Sequence, residues 1–324
     1  MGIRRLGKIL SKYDALCVHN NIKSYRKDKN LILGIDFMLY AFKYNISLGC
    51  IYIGFINQIL YFLSNNITPV YVIDGCAPVE KQEIINRRHN KRERYNKEID
   101  DVKFQINNLE NIENQKNKQE LTQKLEKLEK ITRKITAQDI NNMIEIFKIF
   151  NIKYIRASGE ADNIMAYLFK TNKINSCLSE DTDLIVYGCK SMIKFSNRKI
   201  VEYNLDIILD KLNLKYEEFV ELCIFLGCDY LSTAIKEKPE IIYKKYIESK
   251  DSFFQNNDIS EEYITKFKQI KKNFMNLKDL DISLNFEKKR ISYRKLFNYL
   301  KNNCNKYKNS NLKSIIESIN NNIK

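Results

Sequence analysis

Residues 31–74 read LILGIDFMLYAFKYNISLGCIYIGFINQILYFLSNNITPVYVID. Two short apolar runs, 31–36 (LILGID) and 69–74 (PVYVID), each end in an aspartate. Between them, 38–63 is apolar almost throughout, long enough for one or two buried helices. Strand, helix, strand is the βαβ pattern of a parallel sheet covered on both faces. Further along the chain, 153–156, 175–179, 184–187, 191–195 and 199–203 read as strands, and 160–171 and 216–226 as helices. The first half and the middle of the chain therefore predict one α/β domain with a mostly parallel central sheet.

The pattern changes between 80 and 135. Residues 81–97 carry seven Lys/Arg against two acids, and a polar stretch follows with helical spacing at Leu121, Leu125, Leu128 and Ile135. That seam covers about two heptads, short for a stable coiled coil. The reading is a charged helical hairpin inserted at about 82–135. After 230 no strand signal remains, and 239–247, 260–276, 288–301 and 311–319 look helical. The expected organisation is an α/β domain over 1–231 with its helical insert, then a basic helical region over 232–324.

Composition narrows the function classes. The chain has 324 residues, 44% hydrophobic, with 20 Tyr and 17 Phe, enough apolar material for a substantial core. Only 9 Gly and 3 Pro interrupt it, which favours helices over a turn-rich all-β fold. No apolar run reaches the ~18–20 residues of a membrane span. MGIRRLGKIL has too short an apolar part for a signal peptide and no Ser or Thr at position 6 for myristoylation. Eight Cys (17, 50, 76, 177, 189, 223, 228 and 304) show no CxxC spacing, and His19 and His89 are the two histidines. Zinc needs clustered Cys and His, so free thiols in a reducing intracellular compartment are expected. Net charge is +15, and residues 265–324 hold 15 Lys/Arg against 4 Asp/Glu, a net +11. A polyanion, most simply nucleic acid, is the natural partner. A solvated, Lys- and Asn-rich helical surface explains charge alone equally well.

The acids carry more information. Asp36 and Asp74 close their strands, at the edge where open α/β sheets bind ligands. Glu160 and Asp162 (ASGEAD) open a helix, Asp181 and Asp183 (SEDTD) follow a strand, and Asp229 (LGCDY) ends an apolar helix. Each has a plainer reading. Glu160 suits a helix start, Asp181 and Asp183 suit a turn, and Asp74-Gly75 is a turn signal. Asp36 and Asp229 interrupt strongly apolar segments, where an unpaired charge is costly. Gathered together, seven carboxylates repel one another unless cations neutralise them or their pKa values rise. Oxygen-only ligands suit Mg²⁺ or Mn²⁺, and a pair of such ions serves phosphodiester hydrolysis.

The order of these motifs resembles the flap endonuclease/XPG-like family of structure-specific 5′ nucleases. MGI is similar to the family's N-terminus, with Gly2 close to the active site. LGIDFMLY and YVIDGCAPVEK resemble the first two acidic strands. NIKYIRASGEADNIMAYL resembles the Glu-x-Glu segment, INSCLSEDTDLIVYG the Asp-x-Asp segment, and LCIFLGCDYL the closing Gly-x-Asp segment. The match covers residues 1 to about 231. The fold it implies is a PIN-like nuclease domain with a helical arch and a C-terminal helical region.

The resemblance also implies roles. Asp36, Asp74, Glu160, Asp162, Asp181, Asp183 and Asp229 become ligands of two Mg²⁺ ions, with Mn²⁺ able to substitute. Lys81, seven residues after Asp74, and Arg88, seven further on, match the pair that polarises the scissile phosphate; Arg87 is a rival to Arg88. Residues 82–135 match the arch that a single-stranded 5′ end passes through, with Lys91 and Arg92 on its basic start. Phe42 occupies the position of a base-stacking aromatic, with Tyr40 as competitor. The family's Gly-x-Gly turn after the closing acid is replaced by STAIKEKPEIIYKKYI, without glycine. Duplex binding is then expected to be altered or to shift to Lys244, Lys245 and the basic C-terminal region. No sliding-clamp peptide is evident, no membrane partner is expected, and a monomer is. The composition fits a large, poxvirus-like DNA virus. A cellular protein of this kind belongs in the nucleus, a poxvirus-like one in host cytoplasm or a viral replication site.

Three functions stay open on these residues. The leading one is a Mg²⁺-dependent nuclease for branched DNA in replication, recombination or repair. A metal-dependent endoribonuclease of the same fold and a catalytically degenerate nucleic-acid-binding scaffold are the alternatives.

Overall fold

The computed structural model describes residues 2–26, 30–76, 78, 81–108, 115–277, 280–284, 286 and 292–303. Its elements begin with α1 (Leu6–Lys12), β1 (Cys17–His19), α2 (Ile22–Arg26), β2 (Leu31–Asp36), α3 (Phe37–Leu48), α4 (Ile51–Ser64) and β3 (Ile67–Ile73). Three helices follow, α5 (Gln82–Asn107), α6 (Gln115–Thr132) and α7 (Ala137–Phe150). Next come β4 (Lys153–Arg156), α8 (Ala161–Lys170), β5 (Ser176–Leu178), α9 (Asp183–Val186), β6 (Ser191–Ser196) and β7 (Lys199–Asn204). The rest is helical: α10 (Leu205–Leu212), α11 (Tyr216–Leu226), α12 (Pro239–Glu248), α13 (Phe253–Asn256), α14 (Glu261–Met275) and α15 (Tyr293–Asn303). The expected helix at 311–319 lies outside the described residues. No single helix among them is long and apolar enough to cross a membrane.

The chain divides into two compact units. One comprises Met1–Phe37, Tyr61–Pro78 and Asn151–Lys289, the other Met38–Leu60, Val79–Phe150 and Arg290–Lys324.

The first unit holds one seven-stranded sheet in the order β1-β7-β6-β5-β2-β3-β4. From β6 to β4 neighbouring strands are parallel, and β7 and β1 add antiparallel pairs at the far edge. β2 sits between β5 and β3, and five of its six residues are buried. That is why LILGID is apolar without alternation. A continuous core joins α1 (Leu6, Ile9, Leu10), α8 (Met165, Leu168) and α11 (Phe219, Leu222, Phe225) to α12 (Tyr246) and α14 (Phe267, Phe274). The Phe225 ring lies 4.4 Å from Phe253 and 4.6 Å from Phe267, close enough for direct aromatic contact. Helices α12 to α14 thus share the sheet unit's core.

One expectation is corrected and one strand was not anticipated. Residues 184–187 are not a strand: Asp183–Val186 is one helical turn, α9. The three-residue strand β1 had no sequence signal of its own.

The second unit contains the helical hairpin. On α5, Tyr95, Ile99, Val102 and Ile106 repeat at i, i+4, i+7 and i+11, and they pack with Leu121, Leu125 and Leu128 of α6. Ile135 is not part of that seam; it lies beyond α6, in the connection to α7. Ion pairs Lys103–Glu129 (3.0 Å) and Lys124–Glu98 (2.7 Å) flank the pair of helices. The end of α6 is tied to the α3–α4 turn. Asn45 Nδ2 donates to the Arg133 carbonyl (3.0 Å), and Arg133 donates to the Gly49 carbonyl. A second polar knot joins α4, α7 and α15. Tyr52 OH donates to Asp139 (2.8 Å), Asn142 Nδ2 donates to Tyr52 OH (3.1 Å), and Tyr299 OH donates to Asn142 Oδ1 (3.1 Å).

Candidate active site

Strand order alone collects most of the predicted acids. β5, β2, β3 and β4 are parallel neighbours, so their carboxyl ends share one edge of the sheet. Asp36 is the last residue of β2, and Asp74 follows β3 directly. Glu160 and Asp162 lie past β4, at the residue preceding α8 and in its first turn. Asp181 and Asp183 occupy the link from β5 into α9. Asp229 comes from elsewhere, in the turn that ends α11. Asp36, Asp162, Asp181 and Asp183 are buried, and Asp183 is fully so. Asp74 is exposed, while Glu160 and Asp229 are half-buried.

Hydrogen bonds hold these carboxylates in place. Asp74 Oδ1 accepts from the Ala161 N–H (2.7 Å), which docks the end of β3 onto the start of α8. Beside it Gly75 lies so close to the 157–158 backbone that an added Cβ would fall 2.2 Å from the Ala157 carbonyl oxygen. Ser179 Oγ donates to Asp36 Oδ2 (3.3 Å) and accepts from the Asp181 N–H (3.1 Å). Asp181 Oδ1 in turn accepts from the Asp183 N–H (3.1 Å). Tyr230 OH donates to Glu160 Oε2, and Tyr187 OH lies 2.9 Å from Tyr230 OH. Burial raises the Tyr187 phenol well above its usual range, and the charges of Glu160, Asp183 and Asp162 raise it further. All three carboxylates thus act on one phenol. Burial likewise pushes the Cys228 thiol up to about 12, with Asp183 and then Asp229 adding to the shift. Asp229 thus belongs to the same electrostatic neighbourhood as Asp183.

The N-terminal segment passes through this site. Gly2 has φ of +81°, and a Cβ there would fall 2.2 Å from Asp181 Oδ1 and 2.7 Å from the Thr182 nitrogen. Only glycine tolerates both the backbone and the approach. Ile3 N–H donates to Thr182 Oγ1 (2.9 Å) and Arg4 N–H to the Gly227 carbonyl (2.8 Å). Residues 2–4 thus lace the Asp181–Asp183 link to the turn that carries Asp229.

Sequence reasoning missed Tyr187, Tyr230, Ser179 and Thr182. All four stand inside the quoted motifs, and their partners are set by tertiary approach rather than by spacing.

The basic and aromatic candidates belong mostly to the second unit. Lys81 is the residue preceding α5, Arg87, Arg88 and Lys91 are exposed along its first turns, and Arg92 is half-buried. Phe42 presents an exposed ring on α3 (39%), whereas Tyr40 is buried (4%), with Lys43 Nζ 5.3 Å from its ring centre. In the first unit, Lys244 on α12 is exposed, and Lys245 is engaged by Glu237 at 2.7 Å.

Among the described residues, no three Asp, Glu, His or Cys side chains are placed to hold a single metal ion. The donor set nevertheless fits a hard divalent cation. It consists of carboxylates alone, four of them buried. Asp36, Asp74, Glu160, Asp181 and Asp183 would hold it, with some convergence of their side chains.

A parallel sheet with buried carboxylates along its carboxyl edge, crossed by the chain's own N-terminal segment, defines a nuclease-type α/β domain. Comparison with known proteins makes this particular. Residues 1–95 match the family model of the XPG N-terminal domain and residues 151–229 that of the XPG I-region. Flap endonuclease 1 of Enterocytozoon bieneusi is 28% identical over 305 residues, 88% of this chain and 80% of that protein. A probable flap endonuclease 1 homolog of Danio rerio is 30% identical over 181 residues, 55% of this chain and 42% of that protein. Among solved structures, the catalytic core of Rad2 in complex with DNA substrate aligns with a TM-score of 0.67 at 18% identity, covering 97% of this chain and 98% of that one. Flap endonuclease-1 from Methanococcus jannaschii aligns at 0.64 and 18%, covering 96% and 97%. These structural likenesses establish the PIN-like fold. The chain belongs to the flap endonuclease/XPG family of nucleases, as a divergent member.

Proposed function

We propose that the protein is a Mg²⁺-dependent, structure-specific 5′ nuclease that hydrolyses phosphodiester bonds in branched DNA: flaps, nicks, gaps or joint molecules. The observation that carries this reading is the edge itself, where six acids from four neighbouring strand ends lie in a chain of net charge +15. Family membership points the same way, and the Rad2 core above is described with a DNA substrate.

The roles of the side chains follow from their settings. Asp36, Asp74, Glu160, Asp181 and Asp183 form the metal-holding set, while Asp162 and Asp229 act at its margin. A bound divalent cation supplies Lewis acidity for attack of water at phosphorus and for departure of the leaving oxygen. Tyr230 and the Ala161 N–H fix the orientations of Glu160 and Asp74. Lys81 and Arg88, two helical turns apart on or next to α5, are assigned to the scissile phosphate, with Arg87 as the alternative donor. The exposed ring of Phe42 is the better stacking surface for an unpaired base. The α5–α6 hairpin is assigned to the single-stranded 5′ end, and the helices after residue 231 to duplex.

A labelled 5′-flap DNA, its blunt duplex and an RNA-flap counterpart, each with and without Mg²⁺, test the proposal. Metal-dependent cutting near the DNA branch is expected. Cutting of the RNA substrate alone would move the protein to the ribonuclease reading. Tight binding without any cutting would leave a scaffold.

A further inference from the structure

Arg5 is an oddity of the N-terminal segment. It precedes α1 with φ 61° and ψ 5°, a left-handed conformation that suits glycine or asparagine and strains a long side chain. Its guanidinium Nη1 donates to the Glu237 carbonyl (3.3 Å), in the turn between α11 and α12. Past Gly227 this turn has no glycine, and from Cys228 to Lys238 no residue adopts a positive φ. Bare backbone is therefore not what this turn offers to a phosphate. It offers cations instead: Lys236 and Lys238 are exposed, as is Lys244 on α12.

Helix α1 packs beside that turn and α12. Its inner side buries Leu6, Ile9 and Leu10, and Tyr13 just beyond it meets Tyr243 of α12 edge-on at 4.9 Å. Lys8 and Lys12 lie one turn apart on α1 and Arg5 immediately precedes it, a basic stripe of which all three members are exposed. Residues 2–13 contain four cations and no acid. Nearby Glu237 is occupied by Lys245.

We propose that Arg5, Lys8 and Lys12 of the α1 stripe, together with Lys236, Lys238 and Lys244, form a track for the phosphates of a DNA duplex arm, side chains replacing a backbone grip. The stripe is about 10 Å long, a length over which duplex DNA presents about six phosphate charges. The inference rests on the nucleic-acid reading of the site and adds the residues that hold the arm. Arg5 also ties this track to the active site, because Arg4 beside it bonds the turn that carries Asp229.

The test uses full-length protein and measures binding to a blunt DNA duplex and to a single strand of equal length, over a KCl series with Ca²⁺ replacing Mg²⁺. Arg5→Gly alone relieves the strained backbone, so its melting temperature should hold or rise and lost affinity cannot be blamed on misfolding. Combined with Lys8→Ala and Lys12→Ala, it should weaken duplex binding roughly tenfold or more and make the log–log salt slope shallower by about 2 to 3. Single-strand binding should change little. Unchanged duplex affinity and slope would overturn the proposal, as would equal loss on the single strand. A wild-type protein that cuts nothing with Mg²⁺, yet shows this duplex-specific loss, would instead overturn the nuclease reading and leave the track standing.

Discussion

At the scale of single residues, Gly2 is constrained twice, by its positive φ and by its approach to Asp181. Gly2→Ala places a methyl group against Asp181 on a positive-φ backbone. It should cost about 1–3 kcal/mol of stability and, by shifting the Asp181–Asp183 link, slow cleavage by roughly 10²-fold. Thermal unfolding and single-turnover rates measure the two effects, and a variant matching wild type in both would contradict the geometry. Much of the site was legible at this scale. Aspartates that close strands, and acids in GEAD and EDTD, are informative because charge is expensive where it interrupts apolar runs. The hydroxyls that orient them were not legible. Nothing in the DLIVYG or CDYL segments says that Tyr187 and Tyr230 will meet over Glu160, because 43 residues separate the two tyrosines.

At the scale of elements, the hairpin shows why half a pattern misleads. The α6 seam alone is too short to stand as a coiled coil, but Tyr95, Ile99, Val102 and Ile106 on α5 supply the matching stripe. Leu128→Ala should remove about 2–4 kcal/mol from that contact. Hydrogen exchange should then rise across α5 and α6 while the sheet amides stay protected, and uniform exchange would show that the hairpin is no independent element. The misread run 184–187 has a related cause. Four apolar residues do not distinguish a strand from a buried turn of helix, and the burial of α9 on all sides erased the periodicity. β1 is three residues long and is defined by its pairing with β7 rather than by composition.

At the scale of the whole molecule, the balance of charge sets its response to pH. The Glu218 carboxyl is held below its ordinary range, first by its hydrogen bond from Lys250, and Glu217 is lowered by Lys271. A carboxylate whose folded pKa is depressed stabilises the fold above its unfolded value, near 4.3, and that contribution disappears as pH falls through the folded value. Protonation also adds to a charge already at +15. The melting temperature should therefore be flat from neutrality down to about pH 5 and fall below it. Glu218→Gln should lower the plateau and shrink the acid drop. An acid limb identical to wild type would show that the Glu218–Lys250 pair contributes nothing.

The proposed function assigns metal-dependent phosphodiester hydrolysis to the carboxylates at the sheet edge. Its most direct test is single-turnover cleavage of a 5′-flap DNA in Mg²⁺ by wild type and by Asp181→Ala, with binding of both proteins measured on the same substrate. Cutting near the branch by wild type, and its loss in the variant with affinity retained, is the predicted result. Equal cleavage by both proteins would contradict the assignment of this edge as the catalytic site.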